Sequence, residues 1–218
     1  MSWTDKASLE HIKKLRDIFK VKLFVETGTF NGNNARVQSK NFETIITCEL
    51  NRKSFNHSLE KLKDYENVIV INENSPKFLK RFTNLNGPVI FYLDAHFYNI
   101  NLPKGKRFIV LDELDSLRKI KDCIIIIHDF DNNLGHIIYD NQPLNFNLLK
   151  DKLLKINKNF KFYTNELSSC DPKKVEEAED MDELDNLIYA WSKPEKTYRG
   201  FLYCLPEEVK IDGLKRIG

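Results

Sequence analysis

Short runs of uninterrupted apolar residues constrain this chain more than any other feature. They are Leu23-Phe24-Val25, Val68-Ile69-Val70-Ile71, Val89-Ile90-Phe91-Tyr92-Leu93 and Cys123-Ile124-Ile125-Ile126-Ile127. A strand with one wet face alternates apolar and polar residues. A continuous run is buried on both faces and belongs to a parallel sheet covered by helices on both sides. Thr44-Ile45-Ile46-Thr47-Cys48 reads as a further strand. Between these runs, apolar residues recur at helical spacing. Ser8–Phe19 carries Leu9, Ile12, Leu15, Ile18 and Phe19 on one stripe, and Asn51–Tyr65 turns Phe55, Leu59 and Leu62 inward behind a cap at Asn51. Pro76 opens a short helix through Phe82, Phe108–Ile120 places Leu111, Leu114 and Leu117 inward, and Leu144–Ile156 forms a further helix. The alternation predicts a doubly wound α/β fold.

In such a fold ligands bind beyond the carboxyl ends of the strands, and here each run stops in polar residues. Lys22–Asn34 passes from a strand through Glu26-Thr27-Gly28 and a turn bearing Gly32 into Asn34-Ala35-Arg36-Val37, which can open a helix. Glycine lets the backbone approach a ligand, and the unpaired amides of a first helical turn face it. The second strand ends in Glu49. It lies about 20 residues beyond the glycine, where a ribose-binding carboxylate sits in doubly wound nucleotide folds. Gly28 to Gly32 is G-x-x-x-G rather than G-x-G-x-x-G, which argues against a dinucleotide enzyme. The third strand delivers Asn74 and Ser75, the fourth Asp94-Ala95-His96, and the fifth His128, Asp129 and Asp131. Each has a plain structural reading as well. Glu49 can be a solvated acid, Asn74 and Ser75 a cap before Pro76, Asp94 a holder of loop amides, and His128 a hydrogen-bonded core histidine. His11 and His57 are placed on helix surfaces, without a role.

Composition narrows the classes. With 218 residues the chain reads as one domain with a substantial core. A net charge of +2 predicts no broad nucleic-acid face and leaves a local patch open. No apolar run approaches the roughly 20 residues of a membrane helix, and the first residues lack the pattern of a signal peptide. Cys48, Cys123, Cys170 and Cys204 show no C-x-x-C spacing, and three of them fall in apolar runs as small hydrophobes. A reducing, cytoplasmic setting is expected. Homo-oligomerisation is left open.

Together, Glu26-Thr27-Gly28 and Glu49 resemble the first two motifs of class I S-adenosylmethionine-dependent methyltransferases. The resemblance implies a Rossmann-like, mostly parallel seven-stranded sheet whose last two strands are antiparallel. It also implies S-adenosylmethionine as cofactor, with Glu26, Thr27, Gly28 and Gly32 at its methionine part, Glu49 on the ribose, and Asn74 and Ser75 at the adenine. L-D-A-H at Leu93–His96 and H-D-F-D-N at His128–Asn132 resemble small-molecule O-methyltransferases of the catechol and the sugar or macrolide types. In those, acids after strands four and five hold a divalent cation, which implies Mg²⁺ on Asp94 and Asp129, with Asp131 or Asn132 as the third ligand. The catechol type has an acid followed directly by Asn, and a lysine after its first acid and histidine. This chain has Asp129-Phe130 and Phe97-Tyr98 there, which argues against a catechol enzyme.

The last third differs in character. Phe160–Thr164 and Phe201–Cys204 are aromatic strand candidates separated by Glu166–Gly200, which holds an acidic run from Glu176 to Asp185 and an apolar stretch from Leu187 to Trp191. A connection of that length in a compact domain is commonly a lid or a partner surface, or else a solvated excursion. The reading is an enzyme that methylates an oxygen of a small hydroxylated acceptor. His96 is the expected general base, with Asp94 and His128 beside it. Two alternatives stand. An RNA methyltransferase is opposed by the absence of the acid-or-Asn, Pro-Pro-aromatic motif of adenine N6 chemistry. The other is a non-catalytic cofactor-binding interaction module.

Overall fold

The apolar runs pair side by side in a single sheet. The computed structural model describes residues 6–85, 87–95, 108–117, 120, 122–133, 143–166 and 200–218. In chain order its elements are α1 (Lys6–Phe19), β1 (Leu23–Thr27), α2 (Asn33–Gln38), β2 (Thr44–Cys48), α3 (Arg52–Leu62), β3 (Val68–Ile71) and α4 (Ser75–Leu79), the last continued by a 3₁₀ turn. There follow β4 (Val89–Leu93), α5 (Val110–Ser116), β5 (Cys123–His128), α6 (Phe146–Ile156), β6 (Lys161–Asn165), β7 (Phe201–Leu205) and β8 (Leu214–Ile217). The strand order is β3-β2-β1-β4-β5-β7-β6-β8. β1 to β5 are mutually parallel, and β7, β6 and β8 join antiparallel.

Two cores flank the sheet, as continuous apolar strands require. One packs Phe78, Leu79, Leu114, Leu117, Leu149 and Leu153 against Phe91, Ile125 and Ile127. The other packs Ile12, Leu15, Phe42 and Leu62 against Phe24, Ile45, Tyr92 and Ile126. Because β1 winds towards β2 on one side and β4 towards β5 on the other, the chain reverses between β1 and β4. A crevice opens at their carboxyl ends.

Several expectations change. Among the described residues the sheet has eight strands rather than seven. β8, Leu-Lys-Arg-Ile, is an outer strand with its two cations exposed, so no apolar run announces it. β3 also lies at an edge, which leaves Ile69 49% exposed instead of buried. On α3 the buried positions are Ser58 and Leu62, one turn apart, and Leu59 faces out at 46%. His11, expected on a surface, is buried; its ring lies 3.1 Å from the Tyr203 hydroxyl and 3.2 Å from the Asp212 carbonyl oxygen. Burial pulls its pKa below the ordinary histidine value. Cys48, Cys123 and Cys204 are free, buried thiols, and Cys170 lies outside the described residues. Among the described residues no helix is long and apolar enough to cross a membrane.

Candidate functional site

At the switch between β1 and β4 the backbone does the positioning. Gly28 follows β1 with φ +81°, and a Cβ there would sit 2.6 Å from the Asp94 carbonyl oxygen. An L side chain meets both a forbidden conformation and a collision, so this position requires glycine. The Gly28 and Thr29 amides both donate to the Cys48 carbonyl, at 2.9 and 3.0 Å. The Asp94 amide donates to the carbonyl and the hydroxyl of Thr27, both at 3.2 Å. The three strand ends are thereby tied into one floor.

Above that floor lies a cleft of about 410 Å³. Of the residues expected at a cofactor site, Gly28, Glu49, Asn74 and Ser75 line it, together with Asp94. Glu49 is anchored at both oxygens, accepting from the Phe30 amide at 2.8 Å and the Asn51 amide at 2.7 Å. A carboxylate has about four acceptor sites, so two amides leave capacity for ligand hydroxyls. Asn74 caps α4 by accepting from the Lys77 amide at 3.3 Å, so the capping role and the cleft position coincide.

Glu26, Thr27 and Gly32 do not line this cleft. Glu26 and Thr27 are fully buried one layer beneath it. Glu26 accepts from Asn34 Nδ2 and Thr47 Oγ1, both at 2.7 Å, and burial pushes its carboxyl up to about 8. Gly32 (φ +80°) caps α2 where a Cβ would press on Leu62 of α3. The sequence reading missed Phe30, Leu50, Glu73 and Ile109, which also line the cleft. Phe30 holds a left-handed backbone (φ 49°) and Leu50 is 59% exposed. An exposed aromatic between two turn glycines and an exposed leucine directly after the acid were the signals available. Glu73 is bridged by Lys77 and Arg81, each at 2.6 Å, and the hydrogen bond from Lys77 holds its pKa below the usual carboxylate value.

Beside the cleft, β4 and β5 bring Asp94, His128 and Asp129 together. His128 Nδ1 lies 2.7 Å from Asp94 Oδ1 and 3.3 Å from Asp129 Oδ1, all three side chains buried. Asp129 takes a left-handed backbone (φ 58°), which turns its carboxylate back towards the histidine. Burial works against a charged imidazole, but the Asp129 and Asp94 carboxylates outweigh it and raise His128 to about 9. The imidazolium is therefore the counter-ion of two acids at neutral pH. Among the described residues these three form the group whose donor atoms lie close enough to share a metal ion, within 4.8 Å of one another. Asp131 is not among them; it accepts from the Asn133 amide at 3.0 Å. His96 and nearly all of the 166–200 segment lie outside the described residues.

No family model matches the chain. In sequence it is similar to the ribosomal RNA small subunit methyltransferase A of Caldanaerobacter subterraneus subsp. tengcongensis, 31% identical over 70 residues. That stretch is 32% of this chain and 26% of the relative, so the match spans about a quarter of the relative's length. In structure it resembles an O-methyltransferase from Bacillus cereus in complex with SAH, at TM-score 0.56 and 12% identity over 93% of this chain and 82% of that one. A SAM-dependent methyltransferase from Archaeoglobus fulgidus gives TM-score 0.53 and 13% identity over 89% and 93%. The 23S rRNA methyltransferase ErmE gives 0.50 and 11% over 96% and 73%. With the glycine turn, the acid after β2 and the antiparallel closing strands all in place, the chain has the fold of class I S-adenosylmethionine-dependent methyltransferases.

Proposed function

We propose that this protein transfers the methyl group of S-adenosylmethionine to an oxygen of a small hydroxylated acceptor. The observation that carries the reading is a cleft at the β1–β4 switch that gathers Gly28, Glu49, Asn74, Ser75 and Asp94 from four strand ends. The cofactor supplies an electrophilic sulfonium methyl. The chain's tasks are then to hold it, place the acceptor in line and take the acceptor's proton. Gly28 keeps the backbone low enough for close approach, Glu49 offers acceptor capacity to ribose hydroxyls, and Phe30 and Leu50 present apolar surface to a flat ring. His96, two residues beyond Asp94 in the chain, is the proposed base. His128, cationic between two acids, fixes Asp94 instead of taking a proton.

The divalent ion implied by the resemblance would be held by Asp94 and Asp129, with His128 as a third donor once the ion has displaced its proton, and when bound would acidify an acceptor hydroxyl. Magnesium prefers all-oxygen coordination and retains several waters. A buried set with one imidazole nitrogen suits a transition ion such as manganese better.

The test is a thermal-shift and turnover series. S-adenosylmethionine should raise the melting temperature while NAD does not, and methyl transfer should be sought across hydroxylated acceptors with manganese, with magnesium and with chelator. Failure of the cofactor to bind overturns the reading, and binding without turnover on any acceptor favours an interaction module. A second reading, methylation of RNA, draws on the likeness to a ribosomal RNA methyltransferase over 70 residues. Labelling of RNA but of no small acceptor would establish it.

A further inference from the structure

Glu26 is fully buried and does not line the cleft, and its surroundings are unusual for a carboxylate. Its hydrogen bonds come from neutral groups, Asn34 Nδ2 of α2 and Thr47 Oγ1 of β2. Thr47 Oγ1 in turn lies 2.6 Å from Thr29 Oγ1 in the glycine turn. Gln38 backs Asn34 at 3.5 Å. Across the sheet Glu26 pairs with Thr47 on one side and Tyr92 on the other. The charged groups that bear on it are acids, Asp94 at the end of β4 and Glu49 at the end of β2, and Asp94 is itself paired to His128. The Cys48 thiol, lining the cleft above, is a neutral neighbour whose own ionisation burial suppresses.

A fully enclosed carboxyl with neutral donors and acidic neighbours is stable only with its proton. We propose that Glu26 is held as a neutral acid beneath the cofactor turn and releases its proton to solvent when the cationic cofactor binds above it. This rests on the reading of the cleft as an S-adenosylmethionine site. The hydroxyl chain allows the change without moving a heavy atom. In the neutral form the Glu26 O–H donates to Thr47, and Thr47 donates to Thr29. When the O–H bond breaks, the proton passes to buffer. Thr29 then donates to Thr47 and Thr47 to the carboxylate, while Asn34 goes on donating to the other oxygen. The positive charge of the sulfonium and ammonium groups is the term that favours the ionised form. Glu26 thus acts as a positioning residue whose charge state follows occupancy of the site.

The experiment is calorimetric titration of S-adenosylmethionine into the full chain at pH 7, in phosphate and in Tris, whose ionisation enthalpies differ. The wild type should release about half a proton more per cofactor bound than Glu26→Gln, since linkage counts the protons that differ between the two states. Its affinity should also rise several-fold more than the variant's between pH 6.5 and pH 9; the cofactor's own titration cancels in that comparison. Equal proton release in the two proteins overturns the proposal and leaves the cofactor site intact. No binding in either overturns both. If Glu26→Gln does not fold, the wild-type melting curve decides. It should decline from pH 6.5 to pH 9 in the free protein and flatten with cofactor present; equal slopes with and without cofactor overturn the proposal.

Discussion

Two buried acids, Glu26 under the β1 turn and Asp94 at the end of β4, lie on the same side of the sheet and meet opposite treatment. Glu26 is offered an amide and a hydroxyl, while Asp94 is offered an imidazole at 2.7 Å. Both are removed from water, so burial alone does not decide charge. The partner does. Neutral donors leave the desolvation penalty of Glu26 uncompensated and it keeps its proton, whereas Asp94 faces an imidazole that the neighbouring carboxylates draw towards its cationic form. The floor under the glycine turn is therefore held by neutral hydrogen bonds, and the β4 and β5 ends by charge pairing.

The comparison breaks first at His128. His128→Leu leaves Asp94 and Asp129 buried without their counter-ion, which should cost about 3–5 kcal/mol in denaturant unfolding. Adding Asp94→Asn and Asp129→Asn should recover most of that loss, because the penalty belongs to the unpaired charges. A loss under about 1 kcal/mol for the single variant would show that the acids do not depend on the imidazole.

Glu26 should give the complementary result through pH. Its carboxyl stands at about 8 in the folded chain against an ordinary 4.5. Between those values the folded state binds the extra proton, so stability is greatest at low pH and falls as pH rises through the window. At about 1.4 kcal/mol per pH unit, the fall from pH 6 to pH 8 is about 2–3 kcal/mol. Glu26→Gln, which imitates the neutral acid, should abolish that part of the slope. A slope unchanged in the variant would assign the dependence to another group.

The architecture was far more legible in the sequence than the charge states. Runs such as Val89–Leu93 and Cys123–Ile127 carry their double burial in composition, and their ends place Gly28, Glu49 and Asp94 at one crevice through topology alone. Other features depend on partners distant in sequence. His11 is drawn into the core by Tyr203, 192 residues away. The burial of Glu26 needs Thr47 and Asn34, neither of which reads as a partner of an acid at a strand end. Edge position is equally silent in the sequence: Val68–Ile71 looks like an inner strand because no residue within it records that one neighbour is missing. β8 stays hidden for the inverse reason, as its exposed cations suit an outer strand as well as a loop.

His96, two residues beyond Asp94 in the chain, gives the sharper functional test. An alcohol is a poor nucleophile at neutral pH, and removing its proton during attack contributes about 10²–10⁴-fold. His96→Gln should preserve cofactor affinity, lower turnover at least about a hundredfold and remove the acidic limb of the rate profile. Turnover reduced less than about tenfold, with that limb intact, would remove His96 as the base and make Asp94 the next candidate.

The smallest effect should come from Glu49, and its value lies in separating two roles of one carboxylate. Each oxygen already accepts a backbone amide, from Phe30 and from Asn51, so the side chain fixes the turn whether or not a ligand is bound. If it also receives ribose hydroxyls, those charge-assisted bonds add to the affinity for the cofactor and contribute nothing to the free chain. Glu49→Ala should weaken S-adenosylmethionine binding by about 1–2 kcal/mol. Glu49→Gln keeps the shape but can accept at one oxygen only, so it should fall between alanine and the wild type in affinity. A neutral amide also lacks the charge that strengthens the remaining bonds. Thermal stability without ligand shows which role dominates. A loss of affinity with an unchanged melting temperature assigns Glu49 to the ribose, whereas equal losses in both would make it an anchor of the Phe30 turn and place the ribose contacts elsewhere in the cleft.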